Sequence, residues 1–266
     1  MKLSIITINL NNRDGLKRTI DSVVAQTFTD YEWIVVDGGS DDGSKELLEQ
    51  YKDRFAWWCS EPDGGIYYAM NKGIPHATGE YINFMNSGDV FASNTILSEV
   101  FSKPHDADVL FGLMARGTID GAIVWPKMMK KQLHWCDFFT STINHQSAFI
   151  KREVFLKYGL YDESYMLYAD WKHFAQIIAI EKVSHEFIPE IISVYEGGGK
   201  SETNPAQCRL ELARLRKDIY PGLDEETYRQ LYRQDVIYKY KWSTFLCKAL
   251  YRVCSRIQRW SSPYYN

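Results

Sequence analysis

Glu61-Pro62-Asp63-Gly64-Gly65-Ile66-Tyr67-Tyr68-Ala69-Met70-Asn71-Lys72-Gly73-Ile74-Pro75-His76-Ala77-Thr78-Gly79-Glu80-Tyr81-Ile82-Asn83-Phe84-Met85-Asn86-Ser87-Gly88-Asp89 reads as loop, helix, turn, buried strand and polar turn. The helix covers residues 66–74 and is stopped by Gly73 and Pro75, since proline cannot continue a helix. The strand covers residues 80–85. Working back to the N-terminus, the same alternation recurs. Residues 3–8 are an apolar, β-branched strand, and residues 9–14 are turn chemistry. Leu16, Ile20, Val23 and Val24 recur at helical spacing over residues 16–26. Residues 32–36 form a second strand, 37–44 a Gly/Asp/Ser loop, 44–51 a helix, and 55–59 a third strand. Strands alternating with helices predict a mainly parallel sheet flanked by helices, an α/β fold. In open sheets of this kind ligands bind beyond the carboxyl ends of the strands. The polar loops at 9–14, 37–44 and 86–89 all fall there.

Beyond residue 105 the alternation loosens. Strands are expected over 107–114 and 146–150, with helices over 152–158 and 170–180. Glu196-Gly197-Gly198-Gly199-Lys200-Ser201 is a glycine-rich loop, residues 125–136 are basic and aromatic, and the chain is mostly helical from about Ala206.

Bulk properties narrow the class. The 266 residues carry a formal charge of −3, which argues against nucleic acid as a partner. From residue 205 onward there are 12 Lys and Arg against 6 Asp and Glu, a local +6 that leaves −9 on the remainder. Cys59, Cys136, Cys208, Cys247 and Cys254 show no Cys-x-x-Cys spacing, so reduced thiols in a cytoplasm are expected rather than disulfides or zinc. The apolar stretch at the N-terminus is too short for a signal peptide. No run reaches the roughly 18 apolar residues of a membrane span.

Each candidate site residue has a plain structural reading beside a chemical one. A carboxylate in the 37–44 loop can accept from a base or ribose, or the loop can be a turn and helix cap with Ser44 or Asp42 at the N-cap. Asp89 ends a turn after a strand, where a carboxylate suits a divalent cation, or is a turn aspartate. Asp170, in Tyr168-Ala169-Asp170-Trp171, can act as a general base or can cap the helix that follows.

Taken in order, Ser4-Ile5-Ile6-Thr7 with Asn9, Val35-Val36-Asp37-Gly38-Gly39-Ser40-Asp41-Asp42-Gly43, the 61–73 stretch, Ala77-Thr78-Gly79-Glu80-Tyr81-Ile82 and Asn86-Ser87-Gly88-Asp89 resemble the family 2 glycosyltransferases of the GT-A fold. The likeness is to bacterial enzymes of surface-polysaccharide and lipopolysaccharide synthesis. It runs over roughly residues 3–200. The resemblance implies a catalytic domain over 1–204, with a nucleotide-sugar half (1–100) and an acceptor half (101–204), followed by a helical, basic extension over 205–266. It implies an inverting transfer from a nucleotide-sugar, UDP by family frequency, to a glycan or lipid-linked acceptor. Thr7, Asn9, Asp37, Ser40, Asp41, Asn71, Lys72 and Ser87 match the nucleotide-sugar side, with Asp37 facing the base. Asp89 matches the carboxylate that holds Mn²⁺ or Mg²⁺ at the donor diphosphate, and Asp170 matches the catalytic base. His145, Gln146 and Trp171 fall on the acceptor side, and residues 197–201 resemble a loop that closes over the site. Two departures stand out: Ser87 replaces the first acid of the metal motif, and Tyr68 stands where close relatives often carry Asp.

A nucleotidyltransferase is the competing enzyme class, but it calls for a glycine-rich basic loop after the first strand, where this chain has Asn9-Leu10-Asn11-Asn12-Arg13-Asp14. An inactive nucleotide-sugar-binding module is the non-enzymatic alternative. Over residues 241–260 five basic residues and no acid accompany apolar residues at helical spacing. This predicts an amphipathic helix that lies peripherally on the anionic inner face of the membrane, or one packed on the catalytic domain or on a second subunit of a homodimer.

Overall fold

A computed structural model of the chain describes residues 1–117, 123–124 and 133–230. The basic-aromatic stretch at 125–136 falls largely outside the described residues, and the 241–260 segment wholly so. Among the described residues no helix is long and apolar enough to cross a membrane.

The first half follows the sequence pattern closely. The elements are β1 (Leu3–Asn9), α1 (Arg13–Val24), β2 (Tyr31–Asp37), α2 (Ser44–Tyr51), β3 (Trp57–Ser60), α3 (Ile66–Gly73) and β4 (Tyr81–Phe84). All seven residues of β1 are buried, as expected of a parallel strand covered on both faces. Its neighbours β2 and β4 run parallel to it, and β3 runs parallel to β2. The side chain of Asn12 caps α1 by accepting from the Gly15 amide at 3.2 Å. The start of α2 differs from expectation. Gly43, in the left-handed region, takes the capping position. Asp42 instead accepts from the amides of Ser44 and Arg13, tying the starts of the two helices together.

Next come β5 (Asp89–Phe91), α4 (Ile96–Val100), β6 (Val109–Gly117), β7 (Ile123–Val124), β8 (Ala148–Lys151), α5 (Arg152–Tyr158), α6 (Ala169–Phe174), β9 (His185–Tyr195), α7 (Lys200–Thr203) and α8 (Pro205–Ile219). The described strands form one mixed sheet in the order β3-β2-β1-β4-β8-β6-β9-β5, with β7 on β6. β8 is antiparallel to both β4 and β6, while β9 runs parallel to β6 and antiparallel to β5. Gly112 is needed where β6 and β9 change register. A Cβ there would lie 2.4 Å from Ile192 and 2.9 Å from the Glu190 carbonyl. The helix expected over 170–180 is α-helical only to Phe174 and continues to Ile180 with the wider π repeat.

The first compact unit runs from Met1 to Pro221 and includes α8, and a second begins at Gly222. The physical reason is that α8 is built into the body. Its Glu211 is 4% exposed, and Arg216 donates to the Phe139 carbonyl at 3.0 Å.

Candidate active site

The register of the parallel strands brings polar residues to one line at their carboxyl ends. Asn9 pairs with Asp37 across β1 and β2, and Asp37 with Ser60 across β2 and β3. The Asp37 carboxylate is fully buried and collects four donors. Oδ1 accepts from Asn9 Nδ2 (2.7 Å) and Ser40 Oγ (2.6 Å); Oδ2 accepts from the Ser40 amide (3.0 Å) and Ser60 Oγ (2.7 Å). Burial by itself would raise the carboxyl, but donation from Ser40, Ser60 and Asn9 outweighs it and holds Asp37 below the usual carboxylate range. Asn9 Oδ1 is left buried without a hydrogen-bond partner. Ser60 was not among the residues expected from the sequence. Its signal was positional, as the last residue of a strand in register with Asp37. Asp41 stays outside this cluster: it is exposed, and its amide donates to Asn11 Oδ1.

Two residues expected at the nucleotide prove to be internal. Thr7 is fully buried, its hydroxyl donating to the Met85 carbonyl (2.8 Å) and accepting from Trp33 Nε1 (3.0 Å). Its one proton is committed to the main chain and its hydroxyl is closed off from the surface by the surrounding strands. Asn71 is likewise committed. Its Nδ2 donates to the Tyr161 carbonyl and Glu163 Oε1, and its Oδ1 accepts from the Tyr161 amide. It clasps α3 to the loop after α5. Lys72 is half-buried, and its ammonium is paired with Glu61, which raises its affinity for the proton.

The second cluster forms where β4 ends. Ser87 N donates to the Ile8 carbonyl, extending the ladder past the strand. Gly88 has φ +100°, a left-handed conformation that suits glycine, and Asp89 N closes the turn on the Asn86 carbonyl at 2.9 Å. Thr19 of α1 fixes the turn: its hydroxyl donates to the Asp89 carbonyl (2.8 Å) and accepts from Gly88 N (3.0 Å). Ser87 Oγ meets Asn12 Nδ2 at 3.3 Å. The Asp89 side chain is 6% exposed. Burial pushes its carboxyl up to about 6, against the charge of His145 and a hydrogen bond from the Gln146 side chain. Gln146 therefore sits beside Asp89 rather than only on the acceptor side.

His145 and Gln146 arrive here because β8 is antiparallel, so its N-terminal end meets the carboxyl end of β4; Asn83 of β4 donates to the Gln146 carbonyl at 3.3 Å. His145 Nδ1 lies 3.0 Å from Asp170 Oδ2, and its Nε2 lies 3.1 Å from Asn86 Nδ2. Asp170 Oδ1 accepts from Tyr67 OH and from the Trp171 amide, each at 2.8 Å. Burial disfavours the charged form of His145, but the hydrogen bond and charge of Asp170 and the charge of Asp89 reverse this and raise it. Burial, then the Asp170 charge, drives the Tyr67 phenol well up, so Tyr67 remains a donor. Tyr67 was missed from sequence, because only the packing of α3 against the α6 entry reveals it. Trp171, expected on the acceptor side, turns inward. It is buried, and its indole N–H is taken by the Phe138 carbonyl at 2.8 Å, which leaves its ring packed inside rather than offered to an acceptor.

Tyr195 pairs with Asp89 across β9 and β5, so the loop that follows β9 starts beside the metal candidate. Glu196 is bridged to Arg18 of α1 at 2.7 Å, and Gly199 N donates to Tyr195 OH at 2.6 Å.

The family resemblance implies a divalent cation beside these groups. Among the described residues no three His, Cys, Asp or Glu side chains converge as a complete protein cage. One buried carboxylate at Asp89, with Asn86 Oδ1 buried and lacking a partner, fits a cation that takes most of its oxygens from a bound diphosphate and water.

The sequence model described as Glycosyl transferase family 2 matches residues 4–161. The chain belongs to glycosyl transferase family 2. An uncharacterised glycosyltransferase of Mycobacterium tuberculosis is 36% identical over 177 residues, covering 63% of this chain and 65% of that relative's length. A PGL/p-HBAD biosynthesis glycosyltransferase of Mycobacterium bovis is 28% identical over 211 residues, 75% of this chain and 79% of that one. Among solved structures, S. aureus TarS in complex with UDP-GlcNAc superposes with a TM-score of 0.63 at 18% identity, covering 86% of this chain and 70% of that chain. A mannosyltransferase from Pyrobaculum calidifontis in complex with GDP-Man and Mn²⁺ gives 0.61 at 16% identity, over 89% and 69%. These likenesses establish the GT-A-type fold expected from the sequence. In this family 2 chain the matched region holds Asp37, Asp89 and His145 but ends before Asp170. The place of Asp170 in the site rests on its bonds to Tyr67 and His145, both inside the match.

Proposed function

We propose that the chain is an inverting glycosyltransferase that moves a sugar from a nucleoside-diphosphate sugar, with UDP the first candidate, to a hydroxyl of a cell-surface glycan or lipid-linked acceptor. One observation carries the reading. Polar groups follow the sheet order along a single edge: Ser60, Asp37 and Asn9 at the ends of β3, β2 and β1, then Asp89 beyond β4, then His145 before β8. A donor laid along that edge has its base near Asp37, its diphosphate near Asp89 and its anomeric carbon toward Asp170.

Asp170 takes the proton from the acceptor hydroxyl as that oxygen attacks the anomeric carbon from the face opposite the leaving diphosphate. The bond to the diphosphate oxygen breaks, and the nucleoside diphosphate leaves with the electron pair. A positioned base contributes roughly 10²–10⁴-fold. Tyr67 and His145 hold the carboxylate in place, one on each oxygen. Asp89 would hold a divalent cation, which supplies charge neutralisation at the leaving group. The donor class gains support from TarS with UDP-GlcNAc and the mannosyltransferase with GDP-Man and Mn²⁺, as related folds that hold such ligands. The basic segment at 241–260 is the proposed contact with an anionic membrane, on sequence grounds alone.

The test is a thermal-shift screen of UDP- and GDP-sugars with and without Mn²⁺, followed by release of free nucleoside diphosphate from the best binder. A metal-dependent rise in melting temperature with nucleotide release supports the reading. Binding without release for every donor and acceptor offered reduces the protein to a binding module.

A further inference from the structure

Glu211 sits in α8, in the segment that the sequence pattern separates from the catalytic body. It is 4% exposed. Its carboxylate accepts three successive main-chain amides, Met166 N at 2.8 Å, Leu167 N at 2.9 Å and Tyr168 N at 2.9 Å. A fourth donor, Gln207 Nε2, reaches Oε1 at 2.8 Å. Burying a carboxylate is costly unless its lone pairs are filled, and here three backbone amides and one side-chain amide fill them. Consecutive amides converging on one anion form a nest of the kind that binds anionic ligands elsewhere. In this chain the anion is internal.

The three amides belong to the residues that lead directly into α6, which begins at Ala169 and carries Asp170 on its first turn. The same segment is held from the other side by α3, where Tyr67 OH lies 2.8 Å from both the Leu167 carbonyl and Asp170 Oδ1. Around it α8 makes further ties: Asp218 to Tyr165 at 2.7 Å, and Arg214 to Ser164 at 2.7 Å. Of these, Glu211 alone grips the main chain immediately before Asp170.

We propose that Glu211 is a positioning residue for Asp170. Its charge fixes the backbone at 166–168, and that fixes where the Asp170 carboxylate stands against His145 and Tyr67. The inference rests on Asp170 as the base. It makes α8 part of the catalytic apparatus without any contact between Glu211 and substrate.

The experiment reads the His145–Asp170 hydrogen bond directly, by the ¹⁵N and ¹H resonances of the His145 imidazole, assigned with His145→Gln. Asp170→Asn supplies the reference for a broken bond. In Glu211→Ala the His145 signals should move toward those of Asp170→Asn, and added formate, which fills the amide nest, should draw them back. Turnover should fall by up to about 10²-fold, the scale of a small misplacement of a reacting group, while the KM for donor stays within about twofold. Glu211→Gln keeps the side-chain shape and carries the test if the alanine variant does not fold. His145 signals that remain at wild-type positions in a folded Glu211 variant overturn the proposal. Shifted signals in a protein that turns over no donor even as wild type leave the positioning intact and overturn Asp170 as a base.

Discussion

His145 Nδ1 lies 3.0 Å from Asp170 Oδ2, and this bond joins a turn before an antiparallel strand to the first turn of a helix that follows it in the chain. Both Asp170 oxygens are thereby occupied by donors, with Tyr67 on the other. An ionised carboxylate is the form that accepts all of them. Replacing it by an amide keeps the size and removes the base. Asp170→Asn should lower sugar transfer by roughly 10²–10⁴-fold and leave the dissociation constant for nucleotide-sugar near its wild-type value. Calorimetric titration beside a transfer assay checks both. Transfer near the wild-type rate removes Asp170 from the mechanism.

Asp89 invites a test in which metal and pH act together. Its carboxyl is held up at about 6 by burial, so below that pH the oxygen a cation needs carries a proton. Mn²⁺ should strengthen donor binding at pH 7.5 and do so progressively less as pH falls through about 6. Asp89→Ala should abolish the Mn²⁺ effect at every pH while leaving metal-independent nucleotide binding. A variant whose donor affinity still responds fully to Mn²⁺ places the cation elsewhere.

Much of the first half was legible because parallel strands buried on both faces announce themselves as apolar runs, and the polar turns between them fall at one edge. Asp37, Asp89 and Asp170 are proposed as site residues on that pattern or on the family likeness. What sequence did not display was how deep each side chain lies. Thr7 shares a face of β1 with Asn9, yet sits one step back from the strand end, where its hydroxyl meets Trp33 and the Met85 carbonyl, while Asn9 reaches Asp37. β5 and β9 carry no strand pattern of their own: β5 has three residues, and β9 contains Pro189 and two glutamates amid its apolar positions. Both are strands by virtue of their partners rather than their composition. Glu211 and Tyr67 matter through contacts across many residues of chain, which no local pattern encodes.

Asn71 separates a structural role from a ligand role. Its three hydrogen bonds tie α3 to Tyr161 and Glu163, and removing one side of a buried polar set costs about 1–3 kcal/mol. Asn71→Ala should lower the melting temperature clearly, while the dissociation constant for nucleotide-sugar at a temperature where the variant is folded stays within about twofold. A large loss of donor affinity without loss of stability returns Asn71 to the nucleotide pocket.

His173 sets an acid limit on the fold. It is 4% exposed, its ring lies parallel to Phe155 with centroids 4.9 Å apart, and its Nε2 is buried without a partner. Burial lowers its pKa from 6.5 to about 4, partly offset by the charge of Asp170. The unfolded chain therefore binds the proton first. The stability that neutral His173 allows is fully present above about pH 6.5 and is lost as pH falls toward 4, in total up to about 3 kcal/mol. His173→Phe keeps a ring on Phe155 and removes both the orphan nitrogen and the titration. The variant should be more stable than wild type at pH 7 by about 1–2 kcal/mol. Its stability should also fall less steeply between pH 6.5 and 4; in both proteins Asp89, raised to about 6, opposes the fall in that window, and Asp37, held low in the fold, adds to it only near and below the free aspartate value of about 3.9. Urea unfolding at half-unit pH steps measures the two slopes. Parallel curves for wild type and variant mean that His173 is already protonated, or already solvated, in the folded state.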